Sequence, residues 1–384
     1  MKQTAFIFGR TPHLSLLELQ SFYPKAAPLI EGVSIVSEDV DSQKMIHLLG
    51  GTVKIVDIVS KMPELDTDLL FSELVTHVQD RHITFGISAY GRAHVTPAIL
   101  TACKKLLSAR GISARYVETK QNETLSSVVI SKQQVTELVV IGDATEYWIG
   151  ITRAVQDFED WNARDFGRPA PDPKAGMLPP KVARMIVNIA LAGSSPASDR
   201  HPMLLDPFCG VGTIVAESLL RGANTVGSDI SEEAVANAKK NLEWLRRQYS
   251  SIDPLYANII VADATHLSGH VASGSIDAIA TEPFMGETVD SKDVSKLTPD
   301  KVKNVLKGLE KLYIGALREW ASLLKPKARV VMAMPVYMIH RRILRVKNVV
   351  DRCESLGYTL LTGPIEYSRP QAVVRREFYI FQKK

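Results

Sequence analysis

From Met203 to Asp229 the sequence reads M-L-L-D-P-F-C-G-V-G-T-I-V-A-E-S-L-L-R-G-A-N-T-V-G-S-D. An apolar run, Met203 to Leu205, ends in an acid. A tight Pro/Gly turn then leads into helical spacing from Thr213 to Leu220, and a second apolar run, Thr225 to Gly227, ends at Asp229. This pattern predicts a strand, a glycine loop, a helix and a second strand of the nucleotide-binding kind.

Gly210 and Gly212 let a ligand approach the backbone and tolerate positive φ. An acid ending the second strand can accept hydrogen bonds from both hydroxyls of a ribose. A dinucleotide site would want a third glycine near Val215, and a phosphate-binding loop would want Gly-Lys-Ser/Thr; neither occurs. Asp206, placed before the loop, would repel a pyrophosphate but suits a cationic amine. S-adenosylmethionine (SAM) carries an amine, a sulfonium and a ribose, and is the ligand these residues fit.

The alternation continues downstream. Ser231 can cap a helix reaching about Arg247, with Glu232 and Glu233 in the first turn and Arg246 and Arg247 in the last. Strands are predicted at Asn258 to Ala262, ending in Asp263, at Ile276 to Ala280, ending in Thr281-Glu282, and at Ala328 to Ala333. Helices are predicted at Lys301 to Leu324 and His340 to Leu356, and a closing antiparallel hairpin at Tyr358 to Leu361 and Phe378 to Phe381. The fold class read from this is α/β, a doubly wound Rossmann-like sheet with an antiparallel edge hairpin. Four strands end in carboxylates where such sheets bind ligands: Asp206 toward the ligand's amine, Asp229 toward the ribose, Asp263 toward an adenine amine, and Glu282. Glu282-Pro283-Phe284-Met285-Gly286 could hold an exocyclic base amine, the carboxylate accepting its hydrogens and the aromatic ring stacking on the base.

The chain has 384 residues, enough for at least two domains, with 45% hydrophobic and 23% charged content. Net charge is only +4, and three scattered cysteines fit a reducing compartment. The apolar run Ala5 to Phe8 is too short for a signal peptide, and no stretch is long enough to span a membrane. A cytoplasmic address is expected, without a membrane partner, and the histidines show no metal-ligand spacing. Residues 1–60 alternate short strands and helices in a β-α-β-α-β order suggesting a ferredoxin-like α+β layer. Residues 61–155 predict strands at Ile83 to Tyr90, Ala114 to Val117 and Ser127 to Ile130, a helix at Thr96 to Arg110, and a hairpin around Asp143-Ala144-Thr145. Between positions 81 and 120 lie Arg81, Arg92, Lys104, Lys105, Arg110, Arg115 and Lys120 against one acid, Glu118. That excess reads as a polyanion-binding face, with a solvated helix face as the bland alternative. Residues 156–180 are Pro-, Asp- and Arg-rich without periodicity and read as a linker, followed by the doubly wound domain at 181–384.

Together these motifs resemble the THUMP-domain tRNA guanine-N2 methyltransferases, which act on the guanosine at position 10. The resemblance is carried by F-I-F-G-R-T-P-H-L-S-L-L-E-L at the start, F-G-I-S-A-Y-G at 85–91, R-D-F-G-R-P-A-P-D-P-K-A-G-M-L-P-P-K-V-A at 164–183, D-P-F-C-G-V-G-T at 206–213, and the closing R-R-E-F-Y-I-F. It implies a THUMP-like RNA-binding module over 61–155, tRNA as partner, and a linker bordering the SAM pocket. The implied cofactor set is Asp206, Pro207, Phe208, Cys209, Gly210, Gly212, Thr213, Asp229, Ile230, Asp263 and Ala264; the implied catalytic set is Glu282, Pro283 and Phe284. The family's D-P-P-Y-G turn reads E-P-F-M-G here, with Glu282 for the Asp and Met285 for the Tyr. An adenine-N6 methylase of DNA or RNA remains open, as does a non-catalytic RNA-binding protein keeping a SAM pocket. A small activating subunit is also left open as a partner. A nicotinamide dehydrogenase lacks its third glycine.

Overall fold

The computed structural model describes residues 2–118, 124–171, 177–193, 200–286, 298–339, 342–368 and 374–384. The chain divides into two compact units, Met1–Asp160 and Trp161–Lys384.

In chain order the strands of the first unit are β1 (Gln3–Phe8), β2 (Ala27–Ile30), β3 (Val33–Val36), β4 (Thr52–Met62), β5 (His82–Gly91), β6 (Ser113–Tyr116), β7 (Thr136–Gly142) and β8 (Tyr147–Val155). They form one sheet of order β2-β3-β1-β4-β8-β7-β5-β6, antiparallel except that β5 runs parallel to β6 and β7. Alternate residues of β1 enter two separate cores, Phe6 and Phe8 one and Ala5 and Ile7 the other. The strand is covered on both faces, so it reads as a continuous apolar run. The helices are α1 (Pro12–Gln20), α2 (Ser42–Leu48), α3 (Thr67–Val75), α4 (Pro97–Ala109) and α5 (Ser127–Gln133).

Two readings are corrected here. Ser127 to Ile130 is not a strand but the start of α5: the Ser126 hydroxyl accepts from Val129 N at 3.3 Å, and Gln134 closes the helix in the left-handed region. A short Val-Val-Ile run has no period of its own, and the cap decides it. The expected break at residue 60 falls inside β4, whose eleven residues pair with both β1 and β8.

The second unit contains α6 (Phe158–Phe166), which crosses the boundary between the units, and α7 (Pro180–Ala190), α8 (Thr213–Leu220), α9 (Glu232–Gln248), α10 (Pro299–Leu323) and α11 (Asn348–Asp351). Its strands are β9 (Met203–Asp206), β10 (Asn224–Asp229), β11 (Ala257–Val261), β12 (Ile276–Thr281), β13 (Leu324–Ile339), β14 (Arg342–Arg345), β15 (Tyr358–Tyr367) and β16 (Val374–Lys383). The order is β11-β10-β9-β12-β13-β16-β15, with β14 hydrogen-bonded to β13. The first five are parallel, and β16 and β15 close the edge antiparallel. The chain leaves β9 toward β10 and β11, then returns to β12 on the other side. That reversal opens a crevice at the C-terminal ends of β9 and β12, where open α/β sheets bind ligands.

Here the sequence reading is corrected twice more. His340 to Leu356 is not one helix. Among the described residues, β13 runs on to Ile339 and pairs antiparallel with β14, Val336 opposite Arg345 and Ile339 opposite Arg342. Only Asn348–Asp351 is α-helical, because strand pairing and the Arg345–Glu377 ion pair at 2.8 Å outweigh helix propensity. Arg341 lies outside the described residues. The supposed linker opens with a helix: Asp157 accepts from Glu159 N and Asp160 N, and α6 buries Trp161 and Arg164.

Candidate functional site

The glycine loop closes where β9 meets β10. Cys209 N donates to Ser228 O at 2.8 Å and Gly210 N to Asp229 Oδ2 at 2.9 Å, while Ser231 N donates to Asp229 Oδ1 at 3.0 Å. One carboxylate thus fixes both the loop and the start of α9, with acceptor capacity left on each oxygen for hydroxyls. Gly210 (φ 50°) and Gly212 (φ 87°) sit in the left-handed region, and a Cβ on Gly210 would face open space. Gly227, which the sequence reading passed over, is needed for packing: a Cβ there would lie 2.8 Å from Val215 Cγ2.

Asp206 is 1% exposed at the end of β9. Its Oδ1 accepts from Thr281 Oγ1 at 2.8 Å and Phe208 N at 3.3 Å, and its other oxygen has no hydrogen bond among the described residues. Burial pushes its carboxyl up to about 7, against the opposing pull of the Thr281 hydroxyl, with Asp229 and Glu282 adding to the rise. A buried acid with an open oxygen beside a glycine loop fits a cationic ligand group. Cys209 is buried and its thiol is held well above its usual range by desolvation, so it packs rather than reacts. Pro207 and Ala264 are buried, Phe208 sets its ring edge-on 6.3 Å from Trp320, and Ile230 is 75% exposed beyond Asp229.

Two expected cofactor residues also have partners within the protein. The Thr213 hydroxyl accepts from Arg168 Nη1 at 2.7 Å. Asp263 accepts from Thr265 N and Thr265 Oγ1, both at 2.8 Å, and lies 3.5 Å from His266 Nδ1; the Thr265 amide holds its carboxyl below the usual range. That is a turn acid's pattern, and its carboxylate is engaged locally.

Behind the loop lies a buried charge cluster that sequence reading missed. Glu217 on α8 accepts from Arg164 of α6 at 2.5 Å and from Arg184 of α7 at 2.8 Å, all three nearly inaccessible. Asn241 on α9 donates to Val211 O and Ala170 O and accepts from Ala170 N, each at 2.9 Å, tying the 168–170 segment to the glycine loop. The only sequence signal was a charged Glu within an otherwise uncharged helix.

At the end of β12, Glu282 forms an ion pair with Arg376 of β16, both side chains largely buried. The turn's main chain is held by two phenols: Tyr313 OH donates to Phe284 O at 2.7 Å and Tyr337 OH to Met285 O at 2.9 Å. Burial raises the titration of both phenols, keeping them donors. Phe284 is left 55% exposed, and Pro283 is buried. Arg376 lies in the closing R-R-E-F-Y-I-F, which gives no hint of the turn as its partner; Tyr313 and Tyr337 lie in no quoted motif, and all three reach the turn only through the fold.

In the first unit the residues of the basic run come from several elements. Arg81 precedes β5, and Arg115 lies on β6 opposite Thr84. Arg110 ends α4 and covers Phe71 at 4.6 Å; Lys104 lies over Tyr116 at 5.7 Å, and Lys105 is exposed on α4. Arg92 follows the far end of β5, and Lys120 lies outside the described residues.

Residues 168–357 match the model of the UPF0020 family, described as an RMKL-like methyltransferase domain. The chain is 29% identical over 242 residues to a tRNA (guanine(10)-N2)-dimethyltransferase of Pyrococcus abyssi, covering 62% of this chain and 59% of that protein. It is 31% identical over 196 residues to the protein of that name from Methanothermobacter thermautotrophicus, covering 46% and 50%. The chain thus spans between half and six-tenths of the length of these curated relatives. Among solved structures, TrmN from Thermus thermophilus superposes with a TM-score of 0.54 at 18% identity, covering 100% of this chain and 99% of that one. A possible methylase from Clostridium difficile 630 does so with 0.51 at 13% identity, covering 100% and 98%. The second unit has a Rossmann-like fold, and its residues 168–357 are similar to the RMKL-like methyltransferase domain of the UPF0020 family.

Proposed function

We propose that the chain is a SAM-dependent RNA methyltransferase that modifies the exocyclic N2 of a guanosine in tRNA, at position 10 by analogy with the curated relatives' names. The observation that carries this reading is the hydrogen bond between Thr281 Oγ1 and Asp206 Oδ1. It joins the root of the acceptor turn to the root of the glycine loop, so a methyl donor on one faces a nucleophile on the other.

Bound at the loop, SAM supplies an electrophilic methyl on a sulfonium that departs as a neutral thioether. The chain's own residues do the rest. The open oxygen of Asp206 pairs with the ligand's amine, and Asp229 accepts from its ribose hydroxyls. The exposed ring of Phe284 stacks on the guanine, and Glu282 accepts a hydrogen of its amine and takes the proton released when nitrogen gains the methyl. Arg376 steadies that carboxylate. Orientation of the amine in line with the methyl supplies most of the rate. The first unit holds the tRNA, a reaction expected in the cytoplasm.

The test is incubation with labelled SAM and unmodified tRNA transcripts or, separately, duplex DNA, followed by nucleoside digestion. Label in N2-methyl- or N2,N2-dimethylguanosine supports the reading and fixes the methylation state. Label in N6-methyladenine replaces it with the adenine reading. Binding of SAM and tRNA without transfer to any substrate sinks the enzyme reading.

A further inference from the structure

We infer that Arg168, with the Thr213 hydroxyl and the first turn of α8, forms an anion subsite for the carboxylate at the amino-acid end of SAM. The inference rests on the proposed SAM cofactor and adds how its zwitterionic end is read. Arg168 is 6% exposed. Among the described residues its guanidinium bonds only neutral groups: Nη1 donates to Thr213 Oγ1 at 2.7 Å and Nη2 to Met177 Sδ at 3.3 Å, while Nε has no partner. Glu217, the buried acid of α8, is engaged by Arg164 and Arg184. Burial pulls the titration of Arg168 down from its ordinary value, and Asp165 and Glu217 oppose this through their fields without a contact. A buried cation with no carboxylate partner is a site that an anion completes.

The rest of the subsite consists of donors. Gly212 is the N-cap of α8 and no side chain caps the helix; the amides of Thr213, Ile214 and Val215 have no acceptor among the described residues. Open amides at a helix N-terminus carry partial positive charge and favour an anion. The Thr213 hydroxyl accepts from Arg168, so its own proton is left to donate. Arg168 is held by its neighbourhood, since Asn241 donates to Ala170 O and Val211 O and accepts from Ala170 N. The opposite charge stands at the other end of the same loop, where Asp206 ends β9 with one oxygen open. An α-amino acid carries its amine and its carboxylate on one carbon. An acid before the loop and an arginine at the helix after it read both charges. A cleft of about 20 Å³ lined by Arg164, Arg168, Gly212, Thr213 and Asn241 has room for about one water-sized particle, so a free anion such as chloride is the rival occupant.

The test measures binding to the full chain by isothermal titration. The ligands are S-adenosylhomocysteine and its decarboxylated analogue S-adenosyl-3-thiopropylamine, which keeps the amine, thioether, ribose and adenine. The parent should bind the carboxylate-bearing ligand at least about tenfold more tightly, the effect of a charge-assisted hydrogen bond. Arg168→Gln should lose that preference by weakening only the first ligand, and Arg168→Lys should restore part of it. Thr213→Ala should narrow the preference by about threefold. A role confined to packing would weaken both ligands equally, and that result in Arg168→Gln overturns the subsite. A parent that binds the two ligands alike overturns it too, whatever the variants do, and leaves the cofactor reading standing. A second arm exchanges chloride for gluconate at fixed ionic strength without ligand. Chloride that raises the melting temperature of the parent but not of Arg168→Gln, with no preference between the two ligands, assigns the cleft to a free anion and overturns the proposal. If the parent binds neither ligand nor SAM, the cofactor reading itself falls.

Discussion

The glycine loop and the acceptor turn lie at the ends of adjacent strands and are held by opposite means. The loop's turn is closed from within its own strand-loop-helix-strand unit, with Asn241 and Arg168 as outside support: Asp229, nineteen residues on from Gly210, bonds its amide, and α8 begins at once after Gly212. The turn is fixed from afar. Glu282 meets Arg376, ninety-four residues away, and Tyr313 and Tyr337 secure the backbone of Phe284 and Met285 from α10 and β13. A loop of the first kind can be read from a motif. A turn of the second kind need share only spacing with the D-P-P-Y-G pattern it resembles, because distant strands can hold different side chains in the same place. That is how an E-P-F-M-G turn can stand beside the D-P-F-C-G-V-G-T loop.

The loop's backing can be broken most severely. Glu217→Ala leaves Arg164 and Arg184 buried without the carboxylate that both contact. Such losses cost about 3–5 kcal/mol, on the order of 10 °C in the melting temperature of a unit this size. A melting curve within about 2 °C of the parent would mean the charge cluster does not hold the loop. The turn should break differently. Glu282→Gln is expected to lower kcat by about a hundredfold or more with SAM affinity unchanged, the signature of a lost proton acceptor. A parallel loss of SAM binding would instead make Glu282 part of the loop's support.

Asp206 couples the two regions through pH. Its folded carboxyl titrates near about 7, raised from 3.8. Between those values the folded state holds a proton that the unfolded state has released. The stability gained is fully present below about 4 and is lost as pH rises through about 7. Ligand binding runs the other way, because a cationic amine wants the carboxylate. SAM affinity should therefore rise about tenfold from pH 6 to pH 8, as one proton leaves a group of this pKa. Isothermal titration at several pH values checks it. In Asp206→Asn the pH dependence should vanish, and the free protein should melt higher than the parent at pH 8.

How much of this was legible follows the same division. The strand-loop-helix-strand unit, Asp206, Asp229 and the cap at Ser231 could be read because each rests on a periodic run or a residue within a few positions. The Ser231 hydroxyl indeed accepts from Ala234 N at 3.2 Å. Ser127 to Ile130 and His340 to Leu356 were misread because short apolar or basic runs take the structure their partners impose, a helix cap in one case and strand pairing in the other. That the Asp263 carboxylate also bonds within its own turn was not legible in the strand-end pattern. Arg376 and Glu217 could not be found locally: a charge that becomes buried looks like any surface charge until its partner is brought to it. The placement of the basic run was not legible by the same logic: Arg81 and Arg92 flank the two ends of β5, a ten-residue strand roughly 30 Å long.

The smallest effect separates the two phenols. Tyr313→Phe removes the donor to Phe284 O without changing the packing of a ring that is wholly buried in the second unit's core. A net hydrogen bond of this kind contributes about 1 kcal/mol, so the protein should remain folded with a slightly lower melting temperature. Catalysis should suffer more than stability, because Phe284 is the exposed residue whose carbonyl that bond anchors, and a ring meant to stack on a base must be presented in one orientation. KM for tRNA should rise several-fold while SAM affinity stays fixed. Tyr337→Phe releases Met285 instead, one residue farther along, and should raise KM less. Equal effects from both would mean that the turn moves as one rigid piece, and that its presentation depends on the Glu282–Arg376 pair alone.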